Sequence, residues 1–232
     1  MRLVTALLSA ALGLLPLGAL AEDAPVVLEL YTSQGCSSCP PADALLAELA
    51  AEDGVIALAL HVDYWDYLGW KDSFARPAHT ARQRAYAKAA GRRTIYTPEM
   101  IVQGERRIKG HDAEKVRGAI DRHRQLPAQA TIGLTRDGDG LDVRLAPAGP
   151  GAGPSEVYLV RFIPSEAVSI EAGENAGAHV VYTNIVTDWE SIGRWDGAAP
   201  VELRYEGLGE GPVAVIVQRT DMGPVLTAAE LR

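Results

Sequence analysis

Only two cysteines occur in the chain, and they stand together in Cys36-Ser37-Ser38-Cys39. A multi-disulfide framework is thereby excluded, and whatever the two thiols do they do as a unit. An apolar run, Val26 to Tyr31, precedes them. After them, from Pro41 to Ala51, Leu45, Leu46 and Leu49 recur on one helical face. The pair therefore sits where a strand gives way to a helix. There the unpaired N–H groups of the helix start, with the dipole behind them, stabilise a thiolate and lower the pKa of Cys36, making it the nucleophile. Cys39, placed one turn into the helix and more buried, resolves a mixed disulfide by attacking Cys36. Two other readings stand beside this one. An inert clip would close a loop too small to stabilise the fold much, and the two sulfurs would also suit a metal.

Around this junction the pattern from Val26 to about Arg124 alternates short apolar runs with helical stretches, as a sheet covered by helices does. Val55 to Val62 is almost wholly apolar, the signature of a strand buried on both faces. Pro77 to Ala90 reads as a helix started by its proline. Residues 99–103 and 106–109 flank Gly104-Glu105, a hairpin signal, and Asp112 to Arg124 reads as a last helix. Beyond Pro127 the runs shorten, at 131–134, 141–145, 157–163, 179–186, 201–205 and 213–217, with Gly and Pro between them. That pattern is all-β. The expectation is thus an α/β domain over 22–127 and a β-sandwich-like domain over 128–232 packed on it.

The order strand, CxxC, helix, strand, helix, Tyr96-Thr97-Pro98, hairpin, helix resembles the thioredoxin fold across residues 26–124. That resemblance implies a cis peptide bond before Pro98, bringing the Thr97 backbone to the sulfurs where an incoming polypeptide pairs with it. An ordinary trans proline opening a strand is the alternative. Gly35 stands where thioredoxins carry a tryptophan. Glu29, seven residues before Cys36, lies near the position of their buried acid beneath the resolving cysteine, although the usual spacing is six. Such a carboxylate would carry the proton of Cys39; otherwise Glu29 is an edge-of-sheet residue paired with a base.

Three longer stretches narrow the resemblance: Leu30-Tyr-Thr-Ser-Gln-Gly-Cys-Ser-Ser-Cys-Pro-Pro-Ala-Asp43, His61-Val-Asp-Tyr-Trp-Asp-Tyr-Leu-Gly-Trp-Lys-Asp72 and Gly173-Glu-Asn-Ala-Gly177. With them the chain resembles the secreted thioredoxin-like family known as domain of unknown function 1223. The likeness implies the two-part architecture; that family has no established reaction, so function must be argued from the site.

Parallel strands present their C-terminal ends together, so the segment from His61 should border the cysteines. Tyr64, Trp65 and Trp70 form an amphipathic rim suited to a peptide or aromatic ligand, or else pack on the helix at 77–90. His61 is the histidine placed to join Cys36 and Cys39 around a soft metal such as Cu(I). His79, His111, His123 and His179 have no ligand spacing and are expected on the surface. Glu174 and Asn175 lie in a glycine-rich turn whose geometry explains them as well as binding does.

A net charge of −8, with no run of five like charges, leaves phosphate-backbone binding without a driving force, so nucleic acid is not an expected partner. Residues 1–21 read as a signal peptide: Arg2, an apolar run from Leu3 to Leu20, and Ala19-Leu20-Ala21 as the cleavage site. No later segment approaches membrane-spanning length. The expectation is a secreted or periplasmic thiol-disulfide oxidoreductase that acts on a protein partner through Cys36 and needs no cofactor beyond its redox-active disulfide. A copper-binding or copper-delivery module using Cys36, Cys39 and His61, and a non-catalytic binding module, are its rivals.

Overall fold

The computed structural model describes residues 24–149 and 152–232, so the leader read at 1–21 lies outside the described residues. Strand β1 (Val26–Thr32) runs parallel to β2 (Val55–His61), in register from Val26 opposite Val55 to Thr32 opposite His61. Every residue of both strands is buried, which is why their sequences carry almost no polar positions. Helix α1 (Pro40–Leu49) connects them, and α2 (Pro77–Ala89) follows β2. On the other edge of β1, β3 (Glu99–Val102) lies antiparallel and turns into β4 (Arg106–Lys109). Gln103 and Gly104 take φ of 52° and 70° in that turn, the conformation the hairpin signal required. Helix α3 (Ala113–Arg124) starts at Asp112, whose side chain accepts from the Lys115 amide.

Alternation along the strands sorts their side chains into two cores. Val26, Leu28, Leu30, Val55, Ala57 and Ala59 pack against α1 and α3, whereas Val27, Tyr31, Ile56, Leu58 and Leu60 face the opposite side. Even-numbered residues of β1 and odd-numbered residues of β2 therefore look toward α1. That parity decides which side chains of β1 and β2 reach the site.

The second half corrects the expected separate sandwich. Its strands are β5 (Ala130–Asp137), β6 (Gly140–Pro147), β7 (Ser155–Ser169), β8 (His179–Trp195), β9 (Val201–Glu206), β10 (Val213–Arg219) and β11 (Val225–Leu231). Four of them continue the first sheet, giving eight strands in the order β11-β10-β7-β8-β2-β1-β3-β4. The junction is a parallel contact of Ala59 with Ile185, reinforced by the Asn184 side-chain amide donating 2.8 Å to the Ala57 carbonyl. Among the described residues, β5, β6 and β9 form a second sheet, which covers Val157, Leu159, Val213, Val215 and Val217 of the large one. Run length reveals a strand but not its neighbour. The free edge of β2, buried in apolar residues, is what recruited β8.

Candidate functional site

The loop leaving β1 is pinned by its own backbone: the Cys36 amide donates to the Ser33 carbonyl and the Cys39 amide to the Cys36 carbonyl, each at 3.1 Å. Cys36 and Cys39 are bonded to each other. Cys39 is not one turn into the helix, as the spacing suggested, but is its N-cap. The reason is Pro40-Pro41: prolines are favoured at the first helical positions, so the helix starts after the second cysteine. They also lack N–H groups, so two of the first-turn donors expected to steady a Cys36 thiolate do not exist. A hydroxyl stands nearby instead, with Ser38 Oγ 3.5 Å from Cys36 Sγ. Both cysteines are shielded, at 1% and 0% exposure, while Ser37 and Ser38 lie in solvent.

Three segments close over this loop. The Thr97–Pro98 bond is cis. Pro98, Ala42 of α1 and Leu30 of β1 all converge on the space a Cβ would need at Gly110, which sets Pro98 against the first turn of α1. Thr97 accepts from the Trp65 indole at 2.8 Å, and the Trp65 side chain lies against Gly35. The Trp70 indole donates to Gln34 Oε1 at 2.7 Å and the Tyr64 hydroxyl to Gln83 Oε1 at 3.2 Å. The polar ends of Tyr64, Trp65 and Trp70 thus point inward, making them walls of the site more than a free rim. Tyr67, at 78% exposure, is the aromatic of this segment left in water.

The third segment comes from the far end of the chain. The tip of the long β7–β8 hairpin carries Gly173 to Gly177, and it reaches back to the cysteines. Asn175 donates to the Gln34 carbonyl at 2.8 Å and to the Cys36 carbonyl at 3.0 Å, while Ser37 Oγ donates to Glu174 at 2.8 Å. Gly173 lies close against Trp70 with φ of 79°, so a side chain there would meet a tight contact and a strained backbone. In the sequence, turn geometry and binding explained Glu174 and Asn175 equally well; their placement on the cysteine loop was not legible there.

Beneath the loop lies a buried polar cluster. Thr32 and His61 end β1 and β2, are register partners, and by parity both face α1. Asp43, one turn beyond Cys39, is buried on that side of α1. The Asp43 carboxylate oxygens, Thr32 Oγ1 and His61 Nε2 are buried without a hydrogen-bond partner. Burial pushes the Asp43 carboxyl up to about 7, reinforced by Asp72 and opposed by His61 and the nearby Thr32 hydroxyl. On the other side of the imidazole, Nδ1 donates to Asp72 at 2.7 Å. The same Asp72 oxygen accepts from the Gln34 amide at 2.8 Å, and its partner oxygen from the Phe74 amide at 2.9 Å. Burial works against the Asp72 anion, but His61 and these amides outweigh it and hold the carboxyl below its ordinary value.

Glu29 is not the acid beneath Cys39. Its odd position in β1 turns it to the face opposite α1, where both oxygens accept from Arg82 at 2.7 and 2.8 Å and from the Tyr31 and Tyr86 hydroxyls. The alternative holds in its pairing with a base but not in its place, because β1 lies inside the sheet between β2 and β3. His79 is likewise not a surface residue: it is buried, donates from Nδ1 to the His61 carbonyl at 2.9 Å, and is lowered to about 4 by that burial. Asp43 carried a sequence signal, a carboxylate in the otherwise apolar stripe of Ala42, Leu45, Leu46 and Leu49. Among the described residues no group of three or more His, Cys, Asp or Glu side chains is arranged to hold a metal ion.

A bonded Cys-x-x-Cys pair at a strand-to-helix junction, on a mixed α/β frame around one large sheet, defines the class of protein. The chain belongs to the family described as protein of unknown function (DUF1223), whose model matches residues 27–218. It is similar to the crystal structure of protein AGR_C_4864 from Agrobacterium tumefaciens, at 31% identity and a TM-score of 0.77, over 91% of this chain and 96% of that one. HBP35 of Porphyromonas gingivalis shares the fold at 16% identity and a TM-score of 0.57, over 90% of this chain and 75% of that one. No curated protein matches the chain. Among the described residues, no helix is long and apolar enough to cross a membrane.

Proposed function

We propose that this chain is a thiol-disulfide oxidoreductase of thioredoxin-like design, secreted or periplasmic, that exchanges with a protein partner through Cys36. The observation that carries the reading is the bonded Cys36–Cys39 pair at the C-terminal ends of two parallel strands, with the Pro98 loop against the first turn of α1. In the reducing direction the Cys36 thiolate attacks one sulfur of a partner disulfide, and the other partner sulfur leaves as a thiolate. Cys39, deprotonated, then attacks Cys36; the Cys36–Cys39 bond forms and the second partner thiolate departs. Two electrons pass to the partner, and the oxidising direction is the reverse. The apolar leader read at 1–21 supports the exported location, where such a pair persists oxidised.

Cys39→Ser should accumulate a mixed disulfide with its partner or with glutathione, resolved on a non-reducing gel. Cys36→Ser should accumulate none. Equal trapping by both variants would remove Cys36 as the nucleophile. Retention of partner binding and cellular function by a Cys36→Ser/Cys39→Ser double variant would turn the reading toward a non-catalytic binding module.

A further inference from the structure

Each time the disulfide closes, Cys39 must give up a proton, and each time it opens Cys39 must recover one, yet the residue is fully buried. Bulk water cannot serve it directly, so a neighbouring group has to. Glu29, on the opposite face of the sheet and engaged by Arg82, Tyr31 and Tyr86, is not available for this.

Asp43 stands one helical turn after Cys39, with its amide donating 3.1 Å to the Cys39 carbonyl, and residues at this spacing are neighbours on a helix surface. Its carboxylate is buried, with no partner at full hydrogen-bond geometry and only the Thr32 hydroxyl close enough to steady the anion. Poorly partnered buried carboxylates are rare because they are costly, and one beside a bonded cysteine pair is placed where its proton has a use. From the sheet, Thr32 and His61 face the same space, and His61 Nε2 also lacks a partner. Asp72 holds the other imidazole nitrogen, fixing which nitrogen faces the cluster. Tyr182 of β8 closes the group, its ring 4.8 Å from that of His61 and its hydroxyl raised by burial and by the two carboxylates.

Resting on the oxidoreductase reading above, we propose that Asp43 takes the proton of Cys39 during resolution and returns it on reduction, with His61, held by Asp72, as a positioning residue behind it. In the mixed disulfide the Cys39 S–H bond breaks and its proton passes to an Asp43 oxygen. The thiolate electron pair attacks Cys36 Sγ, the bond from Cys36 to the partner breaks, and the partner sulfur leaves with that bond's electrons. The charge of the departing thiolate is balanced by the proton Asp43 now holds and later releases to it or to solvent.

The test uses reduced protein under single-turnover conditions with 5,5′-dithiobis(2-nitrobenzoate), which releases one coloured thiolate on attack by Cys36 and a second on resolution by Cys39. In the wild type the second phase should titrate near the value of Asp43, about 7. Asp43→Asn should slow that phase by roughly 10²-fold and move its midpoint toward about 8.5, that of an unassisted thiol, while leaving the first phase unchanged. His61→Gln should shift the midpoint without abolishing the phase. A second phase with the same rate and pH dependence in Asp43→Asn overturns the proposal. Should that variant not fold, a wild-type midpoint near 8.5 overturns it equally. A wild type that releases only one thiolate, or none, sinks the oxidoreductase reading itself.

Discussion

Asp43 and His79 pull the stability of this fold in opposite directions as pH changes. Asp43, raised from 3.8 to about 7, binds its proton more tightly folded than unfolded, so its contribution is complete at low pH and is lost as pH rises from about 4 to about 7. His79, lowered from 6.5 to about 4, stays neutral in the fold, so its contribution is complete above 6.5 and is lost as pH falls toward 4. Across that window the two slopes offset one another. Asp43→Asn removes one of them. Urea denaturation over a pH series should show the variant gaining stability relative to the wild type as pH rises, the difference growing by up to about 4 kcal/mol between pH 4 and pH 7. The buried amide of the new Asn adds a constant offset, so the slope is the readout, and a pH-independent difference would return Asp43 to an ordinary exposed carboxylate. At this scale the sequence was legible where chemistry is local. Cys36 and Cys39 are marked by their spacing, and Thr97 and Pro98 by the resemblance to the thioredoxin fold that the order of elements carries. Glu29 was misread because nothing local says which face of β1 the helix will cover.

Strand β7 and strand β8 show what an element hides. Their apolar runs at 157–163 and 179–186 mark only part of each strand; β7 spans 15 residues and β8 spans 17. On β7 the arm beyond the run carries exposed Ser165 and Glu166, a stretch with little burial and so no apolar alternation to read. That arm delivers Asn175 and Glu174 to the cysteine loop, and its hold there is modest. Two hydrogen bonds from Asn175 contribute about 1 kcal/mol each, and the exposed Ser37–Glu174 contact less. A cover held so lightly opens often. Asn175→Ala should therefore raise the rate at which a bulky water-soluble phosphine reduces the Cys36–Cys39 bond by roughly 3- to 30-fold, with the melting temperature nearly unchanged. A rate equal to that of the wild type would mean that Trp65 and the Pro98 loop alone shield the sulfurs.

At the scale of the whole molecule, the sequence separates two regions at Pro127 by their patterns, yet the sheet runs straight across that point. The core on the face opposite α1 is assembled from both sides: Val27, Tyr31, Ile56, Leu58 and Leu60 pack with Val160, Phe162, Val186, Ala214, Ile216 and Ala228. A charged cluster crosses the same boundary. Arg82 pairs with Glu29, donates to Gln218 of β10 at 2.9 Å, and lies 3.8 Å over the Trp189 ring of β8. Composition could not disclose this, because an apolar strand face reads the same whether its cover is near or far in the chain. A fragment ending at residue 127 would keep the cysteine pair, α1 and the cis-proline loop, but it would expose that apolar face, leave the edge of β2 unpaired and return Arg82 to water. Each buried side chain left uncovered costs about 1.5 to 3 kcal/mol, and five of them exceed the 5 to 15 kcal/mol by which domains are stable at the lower end of that range. The fragment spanning 22–127 should show no cooperative urea transition and should aggregate through its open edge, whereas adding residues 128–232 as a second chain should restore the transition. Cooperative unfolding of the first fragment alone, with its cysteines re-forming their bond as fast as in the intact protein, would show that the cysteine site belongs to a self-sufficient domain and that the shared sheet is a later addition to it.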